Sequence, residues 1–478
     1  VSGLAVSIRL SKLNYHVTIL DTNDFTGGKL TEFVSDGYRF DAGPSLFTMP
    51  HLVEDLYKIA GKSLQNFRYR RLEEICRYFY PDGSRFTMPA NVDDQVKTLH
   101  DQLGEDPDTT RRYLDRSRFK YETIGRLFLE RSLRKPSTFF NHLAWRSYLN
   151  LPKLGLMQSL HHHNEKVFRN PKTVQLFDRY ATYNGSDPYQ TPAVMSMIPH
   201  LELGIGAYFP ESGMHQITTG LESLARELGV DICLGSRVTS IILNKLGAAC
   251  GVETGSQSIP GDIVVSAIDV NQTYVRLLAG QKGPAFKELP KSTSAVIFYW
   301  GIRKTFNLLG LHNIFFSTNY KAEFDSLFKE GQIPEDPTIY LNISAKERLS
   351  DAPPGCENWF VMVNAPANEG QPWDEWIPLL RKKILMRLSR EMCEAIEPLI
   401  ETELMLEPRS LEARTGAVGG ALYGSNSNDR FSAFLRHANV NNEIPHLYFC
   451  GGTVHPGGGI PLALQSAAIA ARYVAERE

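Results

Sequence analysis

The stretch GLAVSIRLSKLNYHVTILD, residues 3–21, decides the fold. Leu4 to Leu13 carries apolar residues at helical spacing, an Asn14-Tyr15 break follows, and the run His16-Val17-Thr18-Ile19-Leu20 ends at the acid Asp21. Helix, tight turn, β-branched strand and terminal acid make the second half of a dinucleotide-binding βαβ unit. In such a unit the acid accepts hydrogen bonds from ribose hydroxyls. It lies roughly 20 residues beyond the glycines that let a pyrophosphate approach the helix N-terminus. Gly3 fits the last of those glycines, which puts the first strand and the first two glycines ahead of Val1 and outside this sequence. The chain as given is therefore expected to hold a dinucleotide weakly. Taken alone, the same hairpin suits any doubly wound protein.

Six residues beyond the acid comes Gly27-Gly28-Lys29, and then YRFDAGPS at residues 38–45. A glycine pair lets backbone N–H groups come close to an anion, and the neighbouring cation supplements them. Each motif alone is also an ordinary turn. Near the other end, LYFCGGTVHPGGGIP at residues 447–461 reads as a strand and a glycine-dense loop, followed by a small-residue helix from Ala463 to Tyr473. Five glycines between Gly451 and Gly459 cost conformational entropy, so they serve close approach of backbone to a flat ligand rather than stability. The helix after them aims its N-terminus at that ligand.

The bulk properties set bounds on this picture. A chain of 478 residues with 42 % hydrophobic and 22 % charged residues is ordinary globular material, long enough for two connected domains. Its net charge of −2 gives no global signal for nucleic acid. The six cysteines (Cys76, Cys233, Cys250, Cys356, Cys393 and Cys450) form no CxxC pair, which suits reduced thiols in a cytosolic protein, most of them in the core. No apolar run reaches the roughly 18 residues needed to span a bilayer. The expectation is a cytoplasmic protein, soluble or peripheral to a membrane.

The acid, the GGK turn, DAGPS and the C-terminal glycine loop together resemble the bacterial phytoene desaturase superfamily of FAD-dependent enzymes. Within it, they resemble most the carotenoid 3,4-desaturases of the Bacteroidetes type. The interior supports this through YATYNGSDP (180–188), MIPHLELGIGAYF (197–209), IFYWGI (297–302) and NWFVMVN (358–364). The resemblance implies an α/β fold with a Rossmann-like FAD-binding domain of the glutathione-reductase and amine-oxidase kind, from residues 1–70, 213–282 and 405–478. It is interleaved with a mixed-sheet substrate domain from 71–110, 165–212 and 283–404. FAD contacts are implied at Gly3, Asp21, Gly27, Gly28, Lys29, Gly43, Pro44, Ser45, Gly451, Gly452, Gly459, Ile460 and Pro461, with Val238 near the adenine and Ala267 close by. The resemblance implies that the strand-like runs Ser294 to Gly301, Thr338 to Ile343 and Trp359 to Asn364 build the sheet that floors a substrate tunnel. A long helix runs from about Ile377 to Ile396, with Pro378 in its first turn.

Arg111 to Asn164 holds eleven Lys or Arg against three Asp or Glu, in a chain whose total net charge is −2. It also carries Tyr113, Phe119, Tyr121, Phe128, Phe139, Phe140, Trp145 and Tyr148. Cations among large apolar side chains on helices suit an interfacial membrane segment, so residues 111–164 are expected to be a helical part that meets a lipid surface. A solvated helix face uses the same residue types. His161-His162-His163 reads as a polar turn and not as a metal site, since three adjacent side chains cannot point one way on a helix.

Removing hydrogen from a polyene needs a hydride acceptor, which FAD supplies, and a route for a proton. His455, inside the glycine loop, is the first candidate for a proton acceptor, though its ring also suits a bond to loop backbone. Arg179 is the second candidate for a catalytic group, and Tyr183 and His200 are candidates for the tunnel wall. Phytoene desaturation, carotenoid isomerisation on reduced flavin, and an inactive FAD-deficient fragment share these motifs and stay open as alternatives.

Overall fold

The structure is a computed structural model that describes residues 1–64, 67–135, 138, 140, 142–150, 153–278, 289–429 and 436–478. The first helix, Ser2–Ser11, buries Leu4, Ala5, Val6, Ile8 and Leu10. These share one core with Leu52, Val53 and Leu56 of helix His51–Ala60, Ile217, Leu221 and Leu224 of helix Gln216–Glu227, and Leu464 to Val474 of the C-terminal helix Ile460–Arg477. Ala467, Ala470 and Ala471 give that last helix a slim face, so the two ends of the chain pack against each other at short range. Two parallel strand pairs lie beside this helical core. Thr18–Leu20 pairs with Asp231–Cys233, and Val264–Ser266 pairs with Leu447–Phe449. An antiparallel sheet of Val238–Leu243, Ala249–Thr254 and Ser258–Pro260 follows.

The second lobe is a seven-stranded mixed sheet. Its order is Ile400–Leu406, Ser294–Ile302, Glu357–Ala365, Ile339–Asn342, His312–Phe315, Glu74–Phe79, Arg85–Pro89, with only the contact between His312–Phe315 and Glu74–Phe79 parallel. Every residue of Ser294–Ile302 is buried, as a strand covered on both faces requires. Val296, Phe298, Trp300, Leu341, Val361 and Phe315 share a core with Ile377, Leu380, Ile384 and Leu388 of helix Trp373–Met392. By strand register the opposite face carries Tyr78, His312, Ile314, Tyr340, Asn342, Phe360 and Met362.

A buried ion cluster ties the lobes together. Arg39 donates to Asp41 at 2.7 Å and to Asp351 at 3.1 Å. Asp41, the acid of DAGPS, also accepts the N–H groups of Met214 and His215 at 3.1 Å each, just ahead of helix Gln216–Glu227.

Three expectations need correction. The long helix begins at Trp373, so Pro378 lies in its second turn, where the missing N–H leaves the Asp374 carbonyl without a helical partner. His161–His163 lie within a helix, Leu160–Val167, started by the Ser159 side chain accepting from the His162 N–H. Among the cysteines only Cys76 and Cys450 are buried, while Cys233 and Cys393 are exposed, and all six are free thiols.

Candidate active site

The start of the first helix meets two distant segments. A Cβ placed on Gly3 would lie 3.6 Å from that of Ala267, which follows strand Val264–Ser266. One placed on Gly451 would lie 3.4 Å from Ser2 Oγ and 3.5 Å from the Ala267 carbonyl oxygen. Asp21 follows its strand directly. Its N–H donates to the Cys233 carbonyl (3.1 Å), its own carbonyl accepts from Ser236 N (2.7 Å), and Oδ1 accepts from Asn23 N and Nδ2. Oδ2 has no hydrogen-bond partner among the described residues, so one carboxylate oxygen is anchored and the other is left for a ligand. Val238 starts its strand two residues beyond Ser236.

The other glycines build a surface of bare backbone. A side chain at Gly43 would overlap the Lys29 carbonyl, and one at Gly27, which has φ +107°, would overlap the Leu30 carbonyl. One at Gly458 would stand 2.8 Å from Tyr423 Cα, and one at Gly424 2.8 Å from the Thr453 side chain. Gly459, with φ +99°, opens helix Ile460–Arg477, and Pro461 sits in its first turn. Four segments thus converge: Gly27–Lys29, Gly43–Ser45, Ala421–Gly424 and Gly451–Pro461. Such a cradle fits a flat ring system that needs backbone contact along its edge.

Two cations hold this cradle, and neither is free to meet an anion. Lys29 Nζ donates to the carbonyls of Ala421 (2.8 Å) and Leu422 (3.0 Å), and burial pushes its pKa down to about 8 against the pull of Asp269. Lys29 therefore fastens one loop to another, in place of the anion contact its sequence position suggests. The buried Arg436, which no motif announced, donates to the carbonyls of Tyr423 (3.0 Å), Ser425 (2.7 Å) and Gly452 (3.3 Å). Burial lowers its pKa to about 10.

On the other face of the large sheet, within a buried core, lies a second polar group. Arg179, in the 3-10 turn Arg179–Asn184, donates from Nη2 to Tyr78 Oη (3.0 Å) and Glu202 Oε1 (3.3 Å), and from Nη1 to Tyr183 Oη (3.3 Å). Tyr183 in turn donates to Glu202. His312, two residues along its strand from Ile314 and on the same face, lies 2.7 Å from Tyr340 Oη, which is 2.7 Å from Ser45 Oγ. Burial, helped by the charge of Arg179, lowers the His312 pKa to about 3, so the ring is neutral. Ser45 of the cradle is thereby linked to the substrate lobe. Glu202 was visible in the sequence as an acid between two leucines in LELG, and His312 as half of a polar pair with Asn313 in LHNIFF.

The remaining candidates stand apart from this group. His455 has Nε2 2.8 Å from the Arg131 carbonyl, its ring edge-on to Phe128 at 5.2 Å. Burial lowers its pKa to about 4, against the carbonyls of Arg131 and Phe128. An imidazole whose Nε2–H is spent on a carbonyl ties the glycine loop to residues 128–131, which is the backbone-bonding role. His200 faces Tyr121 at 5.5 Å, on the side of the basic helix Pro107–Lys120.

Within the basic stretch Tyr113 and Phe128 are core residues, and Phe139 lies outside the described residues. Exposed apolar side chains gather between positions 140 and 157: Phe140 (78 %), Trp145 (61 %), Tyr148 (42 %), Leu149 (79 %) and Met157 (76 %). Among the described residues no helix is long and apolar enough to cross a membrane, and no cluster of His, Cys, Asp or Glu is placed to hold a metal.

The strand pairs, the glycine cradle and the adjoining mixed sheet define a flavin-dependent oxidoreductase of the amine-oxidase fold. The chain belongs to the flavin containing amine oxidoreductase family, whose model matches residues 1–475. It is 46 % identical to the 1-hydroxycarotenoid 3,4-desaturase of Flavobacterium sp. (strain P99-3), covering 99 % of this chain and 97 % of that one. It is 31 % identical to a 4,4'-diapolycopene oxygenase of Methylomonas sp, covering 98 % and 94 %. A solved variant of putrescine oxidase shares the fold, with a TM-score of 0.64 at 14 % identity over 100 % of this chain and 97 % of that one. The cofactor is FAD, for which the bare-backbone cradle and the half-free Asp21 carboxylate are a fitting site.

Gly43→Ala must push the DAGPS loop off the Lys29 backbone. FAD affinity, read by quenching of flavin fluorescence, should fall about tenfold or more for a cost of roughly 1–3 kcal/mol; an unchanged affinity would remove Gly43 from the cradle. The neutral histidines make a second prediction. His455 and His312 have folded pKa values below the unfolded value of about 6.5, so the unfolded chain takes up protons first. Their contribution to stability is present above that pH and is lost as pH falls through 6.5 towards 4. Thermal unfolding midpoints should drop over that window, and His455→Asn should flatten the slope.

Proposed function

We propose that this chain is an FAD-dependent carotenoid 3,4-desaturase, acting on a polyene with a 1-hydroxylated or γ-carotene-like end. The observation that carries it is the 46 % identity to a 1-hydroxycarotenoid 3,4-desaturase over 99 % of the chain. One hydrogen of the C3–C4 bond leaves as hydride and its neighbour as a proton, while the second C–H electron pair becomes the new π bond. Bound in the glycine cradle, FAD supplies the hydride acceptor. The protein supplies position. The face carrying Tyr78, Ile314, Tyr340, Phe360 and Met362 offers flat, apolar contact to a rigid chain, with no charged triad required.

We assign cofactor contacts to Gly3, Asp21, Gly27, Gly28, Gly43 to Ser45, Val238, Ala267 and the loop Gly451 to Pro461. Arg179 and Tyr183 are assigned to the substrate, and His455 holds the glycine loop. We also assign the exposed patch from Phe140 to Met157 to a lipid surface. Its neighbours Arg131, Arg134 and Lys153 are exposed cations suited to anionic headgroups, and a polyene dissolved in a bilayer is reached from there.

With FAD and an artificial acceptor, liposomes loaded with a 1-hydroxylated polyene should yield a product two hydrogens lighter with red-shifted absorption. Phytoene in a parallel reaction should react poorly, and conversion of phytoene alone would overturn the assignment. In a flotation assay with anionic liposomes, Trp145→Ser/Leu149→Ser should lose most membrane-bound protein; equal flotation would place the lipid contact elsewhere.

A further inference from the structure

We propose that Arg179, Tyr180, Glu202 and His312 form a receptor for an alcohol group on the substrate, so that the enzyme selects polyenes by a hydroxyl at one end. This deepens the desaturase reading and rests on it. The motivating observation is a concentration of unmet polar atoms. Arg179 Nε, Tyr180 Oη and His312 Nε2 are all buried and lack any hydrogen-bond partner, and their residues are 7 %, 0 % and 3 % exposed. Leaving one such atom unpaired is costly, and unmet atoms set around one ion pair mark a place where a further polar group belongs. The Arg179 guanidinium lies 4.5 Å from the centre of the Tyr180 ring, and it donates to Tyr78, which pairs with Ile314, two residues along the strand from His312 on the same sheet face.

The chemistry of the missing group follows from what is already present. Arg179 is balanced by Glu202 at 3.3 Å, so the site calls for no further ion, and a carboxylate would meet Glu202 at close range. Arg179 Nε–H can only donate, whereas a phenol and a neutral imidazole nitrogen can pair with either role. An alcohol, which accepts one bond and donates another, satisfies such a mixed set.

The site is also connected to the cradle. The core that holds Tyr78, Tyr180, Ile314 and Phe316 is continued by the half-buried Leu46, Tyr183, Tyr340 and Leu462. Leu46 follows Ser45, and Leu462 follows Pro461, so side chains packed on this core lie next in sequence to both cofactor motifs. In the receptor proposed, one end of the polyene lies beside Arg179 and Tyr180 and its body extends along these side chains toward the cradle.

Two polyenes of identical carbon skeleton, one with the terminal tertiary alcohol and one without, separate the possibilities. The parent enzyme should favour the alcohol at least tenfold in kcat/KM, and at least tenfold in affinity read from the polyene absorption shift. Tyr180→Phe removes an oxygen that has no partner in the free protein, so its unfolding midpoint should be equal or higher while the preference for the alcohol falls at least threefold. Glu202→Gln, which keeps the shape but unbalances Arg179, should also reduce the preference. Equal use of both polyenes by the parent, or a preference unchanged in both variants, overturns the receptor, and a Tyr180→Phe effect of equal size on both polyenes assigns the site to a fixed water. Binding of the alcohol with the predicted preference but no loss of hydrogen would instead sink the desaturase reading and leave the receptor standing.

Discussion

Backbone lying directly against backbone is the constraint on which the cofactor lobe depends. At Gly43 and Lys29 the approach leaves no room for a Cβ, and the same is true of Gly458 against Tyr423. Contacts of this kind cannot be made by one segment alone. They need Gly27–Lys29, Gly43–Ser45, Ala421–Gly424 and Gly451–Pro461 to be brought together by packing elsewhere, and the slim alanine face of the C-terminal helix against helix Ser2–Ser11 does that work. Lys29 and Arg436 then fasten the loops through carbonyl oxygens. The flat surface is thus a product of tertiary structure, with glycine as its permission rather than its cause.

Buried charge outside the cradle is handled differently. Arg39 is matched by Asp41 and Asp351, and Arg179 by Glu202, so each guanidinium has an acid at hydrogen-bond distance. The first cluster is tied down by the N–H groups of Met214 and His215 and serves to join lobes. The second lies within the core of the mixed-sheet lobe, with Tyr78 and Tyr183 accepting from the same guanidinium.

The helix, turn and strand at residues 2–20 were legible because they obey local periodicity, and the strand–loop–helix at the C-terminus because its glycines have no other use. The strands Ser294–Ile302, Ile339–Asn342 and Glu357–Ala365 also stood out as β-rich apolar runs. What pattern reading could not supply was pairing between distant segments. Arg436 lies in no motif, and its role appears only when the loops at 423–425 and 452 surround it. Lys29 was legible as a cation in a glycine turn, but the carbonyls that claim it lie almost four hundred positions away. His161–His163 misled for a related reason: a run of three polar residues looks like a turn until Asp178 and Tyr113 cover two of the rings, His161 at 2.6 Å from the acid and His163 stacked on the phenol.

The order of strands in the mixed sheet has a consequence for how the protein is made. Glu74–Phe79 takes its place beside His312–Phe315, and Arg77 reaches the Asn307 carbonyl across 230 positions of sequence. At synthesis rates of about 5–20 residues per second, the early strands wait on the order of ten to fifty seconds for the neighbours that cover them. During that interval helices Val92–Leu103 and Pro107–Lys120 can cover the face of Tyr78 and Phe86, but the outer edge of Glu74–Phe79 has no strand beside it. The interleaving that sets one lobe against the other therefore leaves a sheet edge open until His312 has been made.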